Sequence, residues 1–289
     1  MAGRPIGAHV PVAGGLAARG LRYAEAIGAE TIQIFAANPR AWALPAGARE
    51  QDAAFTAHLA ATGLPVFIHA PYLINLGSPD AVVRQRSAGS LAHSLRRGRE
   101  VGALGVVVHT GSAVRSDRDQ GLCRVRESLL PLLDSLGDDG PDLLLEPMAG
   151  QGQMLCTAVS DLGPYLDTLD WHPRAGVCLD ICHLFAAGHD LAAHAGTKSL
   201  LDELTRLLAQ HPGSPGGRLR LIHANDSKDE CGSRRDRHEN IGAGRIGTAA
   251  FAALLSHPAT QGIPFIVETP GPRDAHATDI ATLKRLREA

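Results

Sequence analysis

The fold of this chain is best indicated by the stretch Gly176-Val177-Cys178-Leu179-Asp180-Ile181-Cys182-His183. Its first part is a short apolar run, which is typical of a strand buried on both faces of a parallel sheet. The run ends in a carboxylate, and a histidine follows three residues later. If the strand turns into a helix at this point, both side chains face the same side. We therefore take a buried strand that ends on a polar residue as the unit to search for in the rest of the chain.

The same unit recurs along the 289 residues, and helix-like segments separate its copies. Eight strands alternating with helices predict an α/β fold, namely a single-domain (β/α)8 TIM barrel spanning residues 1–289, for which about 250 residues is typical. A doubly wound open sheet is the alternative, but no Gly-x-Gly-x-x-Gly motif follows the first strand. The predicted strands are residues 6–10, 31–35, 65–69, 105–109, 142–146, 176–180, 218–223 and 264–268, and the clearest helices are 15–27, 46–61, 81–101, 120–136 and 197–210.

Composition limits the class of protein. Apolar residues make up 44% of the chain and charged residues 20%, which suits a folded domain with a sizeable core. No apolar stretch approaches the roughly 20 residues that span a bilayer, so we expect no membrane association. The five cysteines form no Cys-x-x-Cys pair, and the chain starts without a signal-peptide pattern, so we expect a cytoplasmic location. The net charge of −2 argues against nucleic-acid binding through bulk positive charge alone.

Six successive predicted strands end on a nitrogen or carboxylate donor. In a TIM barrel the carboxyl ends of the strands surround one mouth, where active sites are built. A lone residue of this kind is often a solvated side chain or a helix cap, but six in phase with the repeat are hard to explain in that way. A cluster of buried carboxylates without a cation would also repel itself and be costly to desolvate. The sequence therefore predicts a metal site at the mouth, built from His69, His109, Glu146, Asp180, His223 and Glu268.

Three further donors extend the predicted metal site. His183 lies three residues after Asp180, and Asp236 and His238 lie two apart, which places both on one face of an extended loop. Nitrogen and oxygen donors suit zinc, manganese or magnesium, and five histidines favour zinc. Nine donors exceed what one or two four-coordinate ions need, so we expect three Zn²⁺ ions per chain, with Mn²⁺ or Fe²⁺ as possible substitutes.

Several motifs make the chain similar to a known family over nearly its full length. The motifs are Ile6-Gly7-Ala8-His9-Val10, Asn38-Pro39-Arg40-Ala41-Trp42, Tyr72-Leu73-Ile74-Asn75-Leu76, Ala149-Gly150-Gln151-Gly152, residues 178–188, His223-Ala224-Asn225-Asp226-Ser227-Lys228, residues 236–242 and Glu268-Thr269-Pro270. In these motifs and at the nine donors, the chain resembles the endonuclease IV family of apurinic/apyrimidinic DNA endonucleases, which are trinuclear zinc TIM barrels. All nine metal positions of that family hold a competent ligand here.

The resemblance implies a ligand assignment and a reaction. One zinc would be held by His69, His109 and Glu146. Glu146 would bridge to a second, completed by Asp180, His223 and Glu268, and the third would be held by His183, Asp236 and His238. The implied activity is base-excision repair: hydrolysis of the phosphodiester 5′ to an abasic site in duplex DNA, which leaves a 3′-hydroxyl and a 5′-deoxyribose phosphate. Removal of 3′-blocking groups would be an additional activity. We expect Glu268 to orient or deprotonate the attacking water, Glu146 to act with it, and the chain to be a monomer.

The resemblance also implies residues that contact DNA. Arg40, Tyr72 and Leu73 would enter the duplex at the lesion, where a missing base lowers the cost of opening the stack. From the residues themselves, Lys228 and Arg237, with Arg234 and Arg235, lie in one segment that could meet phosphates. The alternative is that this segment is a solvated loop balanced by its own acidic residues, Asp229, Glu230 and Glu239.

Two departures and two alternatives accompany this interpretation. Where relatives usually have Glu-Asn-Thr, this chain has Glu146-Pro147-Met148, which removes a backbone donor and a hydroxyl beside the bridging carboxylate. Ala70-Pro71 stands where small polar residues are common in relatives.

The alternative enzyme is a metal-dependent sugar isomerase or epimerase on a similar barrel, which would leave His183, Asp236 and His238 unexplained. A non-catalytic barrel that binds damaged DNA or stores metal would be expected to have a broken ligand set.

Overall fold

The fold is a closed barrel of eight parallel strands, as predicted. The computed structural model describes residues 3–137, 139–211 and 217–289. The barrel strands are β1 (Ile6–His9), β2 (Ile32–Phe35), β3 (Val66–His69), β4 (Gly105–His109), β5 (Asp142–Glu146), β6 (Ala175–Asp180), β7 (Leu219–His223) and β10 (Phe265–Val267). Around the barrel they lie in the order β1, β10, β7, β6, β5, β4, β3, β2, and every neighbouring pair is parallel.

Helices follow the strands and cover the outside of the barrel. Apolar residues on the outer face of the strands pack with the inner faces of these helices in one large core. The helices are α1 (Arg22–Ala26), α2 (Arg49–Thr62), α3 (Ala81–Val101), α4 (Arg118–Asp134), α5 (Val159–Thr168), α6 (Ile181–Ala187), α7 (Gly196–Ala209), α8 (Thr248–Ser256) and α9 (Arg273–Glu288). Among the described residues no helix combines the length and apolar character needed to cross a membrane.

The barrel interior is filled rather than open. Its apolar side chains form a separate buried cluster below the mouth, so the mouth has a solid floor, as expected for a TIM barrel. The cluster consists of Phe67, Val107, Leu144, Cys178, Leu221 and Ile266.

Two predicted elements differ in detail from the structure. The segment predicted as one helix over residues 15–27 begins as a π-helix, Leu16–Leu21, before it continues as α1. Gly15, with φ of 112°, precedes it in a conformation that favours glycine. The last barrel strand ends at Val267, so Glu268 is the first residue after the strand.

A short antiparallel ribbon lies at the mouth after β7. It pairs β8 (Asp226–Ser227) with β9 (His238–Glu239) and so brings His238 back to the barrel. The buried carboxylate of Asp226 holds the loop that follows. It accepts hydrogen bonds from five backbone N–H groups, those of Ser227, Gly242, Gly244, Ile246 and Gly247.

Candidate metal centre

The predicted donors meet at the carboxyl ends of the barrel strands. Five of them are the last residues of consecutive barrel strands, β3 to β7, and Glu268 follows β10 directly. The strand register therefore delivers one donor per β/α unit to the same volume. These five terminal residues are His69, His109, Glu146, Asp180 and His223.

The first donor group is His69, His109 and Glu146. One ligand atom of each lies within 4.8 Å of the others. Nε2 of His69 is 3.2 Å from Oε2 of Glu146, and Nε2 of His109 is 3.5 Å from the same oxygen. Both imidazoles thus face one oxygen of a buried carboxylate.

The second group uses the other oxygen of Glu146. Nδ1 of His223 is 2.9 Å from Oε1 of Glu146, 3.3 Å from Oε2 of Glu268 and 3.9 Å from Oδ2 of Asp180. These four residues also offer ligand atoms within 4.8 Å of one another. Glu146 therefore belongs to both groups, with one oxygen toward each, which is the arrangement of a bridging carboxylate.

The third group is His183, Asp236 and His238. Nε2 of His183 is 3.2 Å from Oδ2 of Asp236, and Nε2 of His238 is 3.0 Å from Oδ1. His183 lies in α6, whereas Asp236 and His238 lie in the loop and ribbon after β7. The three residues lie within ligand-atom distance of one another.

Main-chain carbonyl groups orient three of the histidines. Nδ1–H of His69 donates to the carbonyl of Ala70 at 2.7 Å, that of His183 to Pro147 at 3.0 Å, and that of His238 to Glu268 at 3.1 Å. Each contact leaves Nε2 unprotonated in the neutral ring and aimed at the donor groups. Such carbonyl contacts are the usual way in which metal-binding histidines are oriented.

The free nitrogens fit a bound cation. Among the described residues, the buried Nε2 atoms of His183 and His238 have no hydrogen-bond partner, although carboxylate oxygens lie close to both. Nitrogen lone pairs and carboxylate oxygens that converge in this way suit a divalent metal, and imidazole with carboxylate is a donor set that zinc accepts.

The electrostatics of the site also favour a bound cation. Burial lowers the pKa of His109 to about 4, so its ring is neutral at pH 7. Burial alone would raise the pKa of Glu268, but the neighbouring imidazoles of His223 and His9 outweigh it and hold that pKa well below its usual range. Burial also opposes the charged form of His238, yet Asp180 and Asp236 raise its pKa to about 9. The site thus gathers ionised carboxylates that attract positive charge, and metal binding would displace protons from the imidazoles.

Two cysteines also reach the donor groups. Cys178 lies beside Glu146 and His223, and Cys182 lies beside Asp180 and His238. Burial raises the pKa of Cys178 to about 12 and that of Cys182 above its usual range, so both are thiols at neutral pH. Without metal, both cysteines are therefore uncharged neighbours of the nitrogen and oxygen donors.

Sequence reasoning did not identify two buried amides that contact the donors. Nδ2 of Asn225 donates to Oδ2 of Asp180 at 2.7 Å, and its Oδ1 accepts from the backbone N–H of Glu268 at 2.7 Å. Gln33 contacts Glu268 and His223 from the opposite side. A sequence signal for Gln33 does exist, since it interrupts the apolar run 32–35 of a strand that is otherwise typical of the barrel.

Two of the proposed DNA-contacting residues stand at the rim beside the first donor group. Tyr72 is 47% exposed and Leu73 is 37% exposed. The Tyr72 ring stacks over His109, with centroids 5.7 Å apart and planes 14° apart. The backbone N–H of Tyr72 donates to the carbonyl of Pro39 at 3.1 Å, which ties this segment to the loop that carries the exposed Arg40.

The basic segment lies on the other side of the mouth. Lys228 and Arg237 are exposed and neighbours, since the N–H of Lys228 donates to the carbonyl of Arg237 at 2.9 Å. Arg235 and Arg237 each approach Asp229 at 3.9 Å, a distance at which an exposed pair contributes little. Arg234 is also exposed and bonds through its backbone N–H to Ala186. Asp229 therefore offsets the charge of these arginines only weakly.

The chain is similar to known proteins over nearly its whole length. The sequence profile of the family described as xylose isomerase-like TIM barrel matches residues 21–287. A protein of Streptomyces coelicolor named probable endonuclease 4 is 57% identical over 286 residues, covering 98% of this chain and 95% of that protein. The crystal structure of endonuclease IV from Thermus thermophilus superposes with a TM-score of 0.84 at 32% identity, covering 98% of this chain and 99% of that one.

A D-tagatose 3-epimerase-like protein has a TM-score of 0.73 at 18% identity, covering 98% of this chain and 97% of that chain, and shares the fold alone. Fold and site together define the class: a xylose isomerase-like TIM barrel with candidate metal ligands at the carboxyl ends of its strands. Within that class, the chain belongs to the endonuclease IV family and is a hydrolase of the endonuclease type.

Proposed function

We propose that this chain hydrolyses the phosphodiester 5′ to an abasic site in duplex DNA and leaves a 3′-hydroxyl and a 5′-deoxyribose phosphate. The observation that carries the proposal is the convergence of nine nitrogen and oxygen donors at one mouth, with Glu146 facing two donor groups at once. Family membership supports the reaction class, and the exposed side chains around the mouth support a large substrate rather than a small one.

The proposal includes three zinc ions. His69, His109 and Glu146 would hold one, Glu146, Asp180, His223 and Glu268 a second, and His183, Asp236 and His238 the third. When bound, zinc supplies activated water at neutral pH and positive charge for the phosphoryl oxygens. Mn²⁺ or Fe²⁺ would suit the same donors.

Glu268 is the residue best placed to handle the proton of the attacking water. Its carboxylate is only 13% exposed at the floor of the mouth, and its low pKa keeps it ionised, so it can accept a hydrogen bond from the attacking water and orient it. Oε2 faces the donor groups, since it lies 3.3 Å from Nδ1 of His223. Glu146 contributes by keeping two donor groups at a fixed separation.

The rim residues would open the duplex. Tyr72 and Leu73 present apolar surface beside the first donor group, and Arg40 is held near them through the Pro39 contact. Insertion of such side chains unstacks a base step at a cost of a few kcal/mol, which is smallest where a base is already missing. Lys228 and Arg237 would bind phosphates on the opposite side of the mouth.

The alternative function is a metal-dependent sugar isomerase or epimerase. A small sugar would use the first two donor groups, but it gives no role to His183, Asp236 and His238 or to the exposed Tyr72 and Leu73. The proposed endonuclease accounts for all of them. The proposal also includes removal of 3′-blocking groups, a cytoplasmic location, which the five free cysteines support, and a monomeric state.

The test is a nicking assay on a duplex with one tetrahydrofuran abasic analogue and a matched intact duplex. Zinc-loaded protein should nick only the damaged strand, on the 5′ side of the lesion, and prior chelation should abolish the nick. Metal analysis should find close to three ions per chain, and light scattering a monomer. Absence of a nick by metal-replete protein, together with turnover of a ketose, would replace the proposal with the sugar-isomerase function.

A further inference from the structure

The buried amide of Gln33 joins two of the candidate ligands. Gln33 lies on β2, which contributes no donor to the nine, and its side chain is completely buried. It reaches Glu268 at one end and His223 at the other. A buried polar side chain requires hydrogen-bond partners, and those of Gln33 are residues of the mouth.

The two contacts fix which way the amide points. Nε2 of Gln33 is 2.7 Å from Oε1 of Glu268, and an ionised carboxylate can only accept a hydrogen bond, so the NH₂ group must face it. The amide oxygen then faces His223, where it lies 2.9 Å from Nε2. Because an amide oxygen only accepts, His223 must carry its proton on Nε2.

This proton position determines what the other side of the His223 ring can do. With Nε2 protonated, Nδ1 of the neutral ring has a lone pair, and Nδ1 faces Oε1 of Glu146 and Oε2 of Glu268. The same amide holds Oε1 of Glu268, so Oε2 is the oxygen left for the donor group. His9 completes the arrangement, since its Nδ1 lies 3.1 Å from Nε2 of Gln33 and can accept the second amide hydrogen.

We propose that Gln33 is a positioning residue: its amide selects the Nδ1 lone pair of His223 and the Oε2 atom of Glu268 for the second metal position. The inference rests on the proposed function, because it assigns a role toward the metal site of that function. Neither part of the amide is replaceable. Gln33→Glu places a second carboxylate against Glu268, and Gln33→Met removes all three amide hydrogen bonds while nearly keeping the volume.

The first experiment measures zinc affinity of the full chain by competition with a chromophoric chelator. In Gln33→Met and Gln33→Glu, one of the bound ions should lose about 10- to 100-fold in affinity while the others keep theirs. Thr31→Val is the matched control, because Thr31 is also completely buried and precedes the same strand, with its hydroxyl donating to Pro65 at 3.0 Å. It should bind zinc like the wild type.

The second experiment needs no variant. In ¹⁵N-edited NMR spectra of the zinc-loaded wild-type protein, His223 should be protonated at Nε2. Protonation at Nδ1, or wild-type affinity for every ion in the Gln33 variants, would overturn the inference. The nicking assay distinguishes failure of this inference from failure of the proposed function. If the wild-type chain nicks abasic DNA and the Gln33 variants bind zinc normally, only the role of Gln33 is contradicted. If the wild-type chain does not nick, the proposed function is contradicted.

Discussion

The carbonyl oxygen of Pro147 accepts the Nδ1–H of His183 at 3.0 Å. The contact shows that Pro147 orients His183, a proposed metal ligand, through its main chain. Proline lacks a backbone donor but retains its carbonyl group, and the carbonyl is what His183 uses. Met148 is buried and bonds through its backbone N–H to Cys156 at 2.9 Å, so its own backbone contact is made away from the donors.

The first prediction concerns this contact. Pro147→Asn should retain the wild-type zinc content, because the accepting group belongs to the main chain and not to the side chain. His183→Ala, as the matched comparison, should lose about one ion per chain. Plasma mass spectrometry of the purified proteins measures both. Loss of an ion from Pro147→Asn would show that the proline ring itself is required.

Glu268→Gln should abolish most turnover without abolishing lesion binding. The amide cannot accept the proton of the attacking water, and general-base groups typically contribute about 100- to 10,000-fold to rate. Single-turnover nicking and a fluorescence binding titration on the abasic duplex separate the two effects. Glu127→Gln, on the exposed face of α4, serves as the control and should nick at the wild-type rate. Equal rates in Glu268→Gln and wild type would remove the proposed role.

Tyr72→Ala and Leu73→Ala should impair lesion recognition while stability stays nearly constant. Both side chains are substantially exposed, and surface substitutions usually change the free energy of unfolding by less than about 0.5 kcal/mol. The affinity for the abasic duplex should fall toward that for the intact duplex. Leu104→Ala is a suitable control, because Leu104 is 57% exposed and precedes β4, at the end of the barrel opposite the mouth. A matching loss in Leu104→Ala would show that the effect is not local.

Asp226→Asn should loosen the loop after the ribbon and weaken the third donor group. One carboxylate accepts five backbone N–H groups, and an asparagine amide would direct its own N–H atoms at some of them. We expect a loss of about 1.5–3 kcal/mol in the free energy of unfolding, the range for hydrogen bonds to a charged group. Urea unfolding measures the stability, and metal analysis should show reduced occupancy. Unchanged stability and metal occupancy would mean that the loop keeps its conformation without the hydrogen bonds to Asp226.

Glu30 gives a pH-dependent contribution to stability at the far end of the barrel. It accepts hydrogen bonds from Arg287 at 2.5 Å and from the backbone N–H of Ile6 at 3.0 Å, and Lys284 lies 3.2 Å away. Partial burial alone would raise the pKa of Glu30, but hydrogen bonds from Arg287 and Ile6 outweigh it and lower that pKa. A lowered folded-state pKa stabilises the protein above the usual glutamate range, and this stabilisation disappears as the pH falls through the folded-state value.

Glu30→Gln should therefore destabilise the protein at pH 7 by about 1 kcal/mol, a figure reduced for solvent screening of a partly exposed group. The difference from wild type should shrink as the pH is lowered below the usual range of a glutamate. Thermal unfolding of both proteins across that range provides the measurement. A difference that stays constant with pH would mean that the carboxylate charge contributes nothing.

The barrel and the set of strand-terminal donors could be predicted from the sequence because both depend on short-range patterns. An apolar run such as 105–109 marks a buried strand by itself, and all eight predicted strands are present. The start of the first helix was less accessible, since nothing local to residues 15–27 marks a π-helical turn. The contacts of Asn225 were equally hidden, because its partners Asp180 and Glu268 lie 45 and 43 residues away.

The sequence alone therefore predicts the number of barrel strands, where they end and which residue types serve as donors. They follow from local hydrophobic periodicity and from one polar residue per β/α repeat. Folding was needed to show how Glu146 divides its two oxygens, which carbonyl orients His183, and that Gln33, 190 residues before His223 in the chain, lies against that ring. The physical reason is that hydrogen-bond partners are chosen by distance and angle after the barrel closes, and no local pattern encodes such long-range geometry.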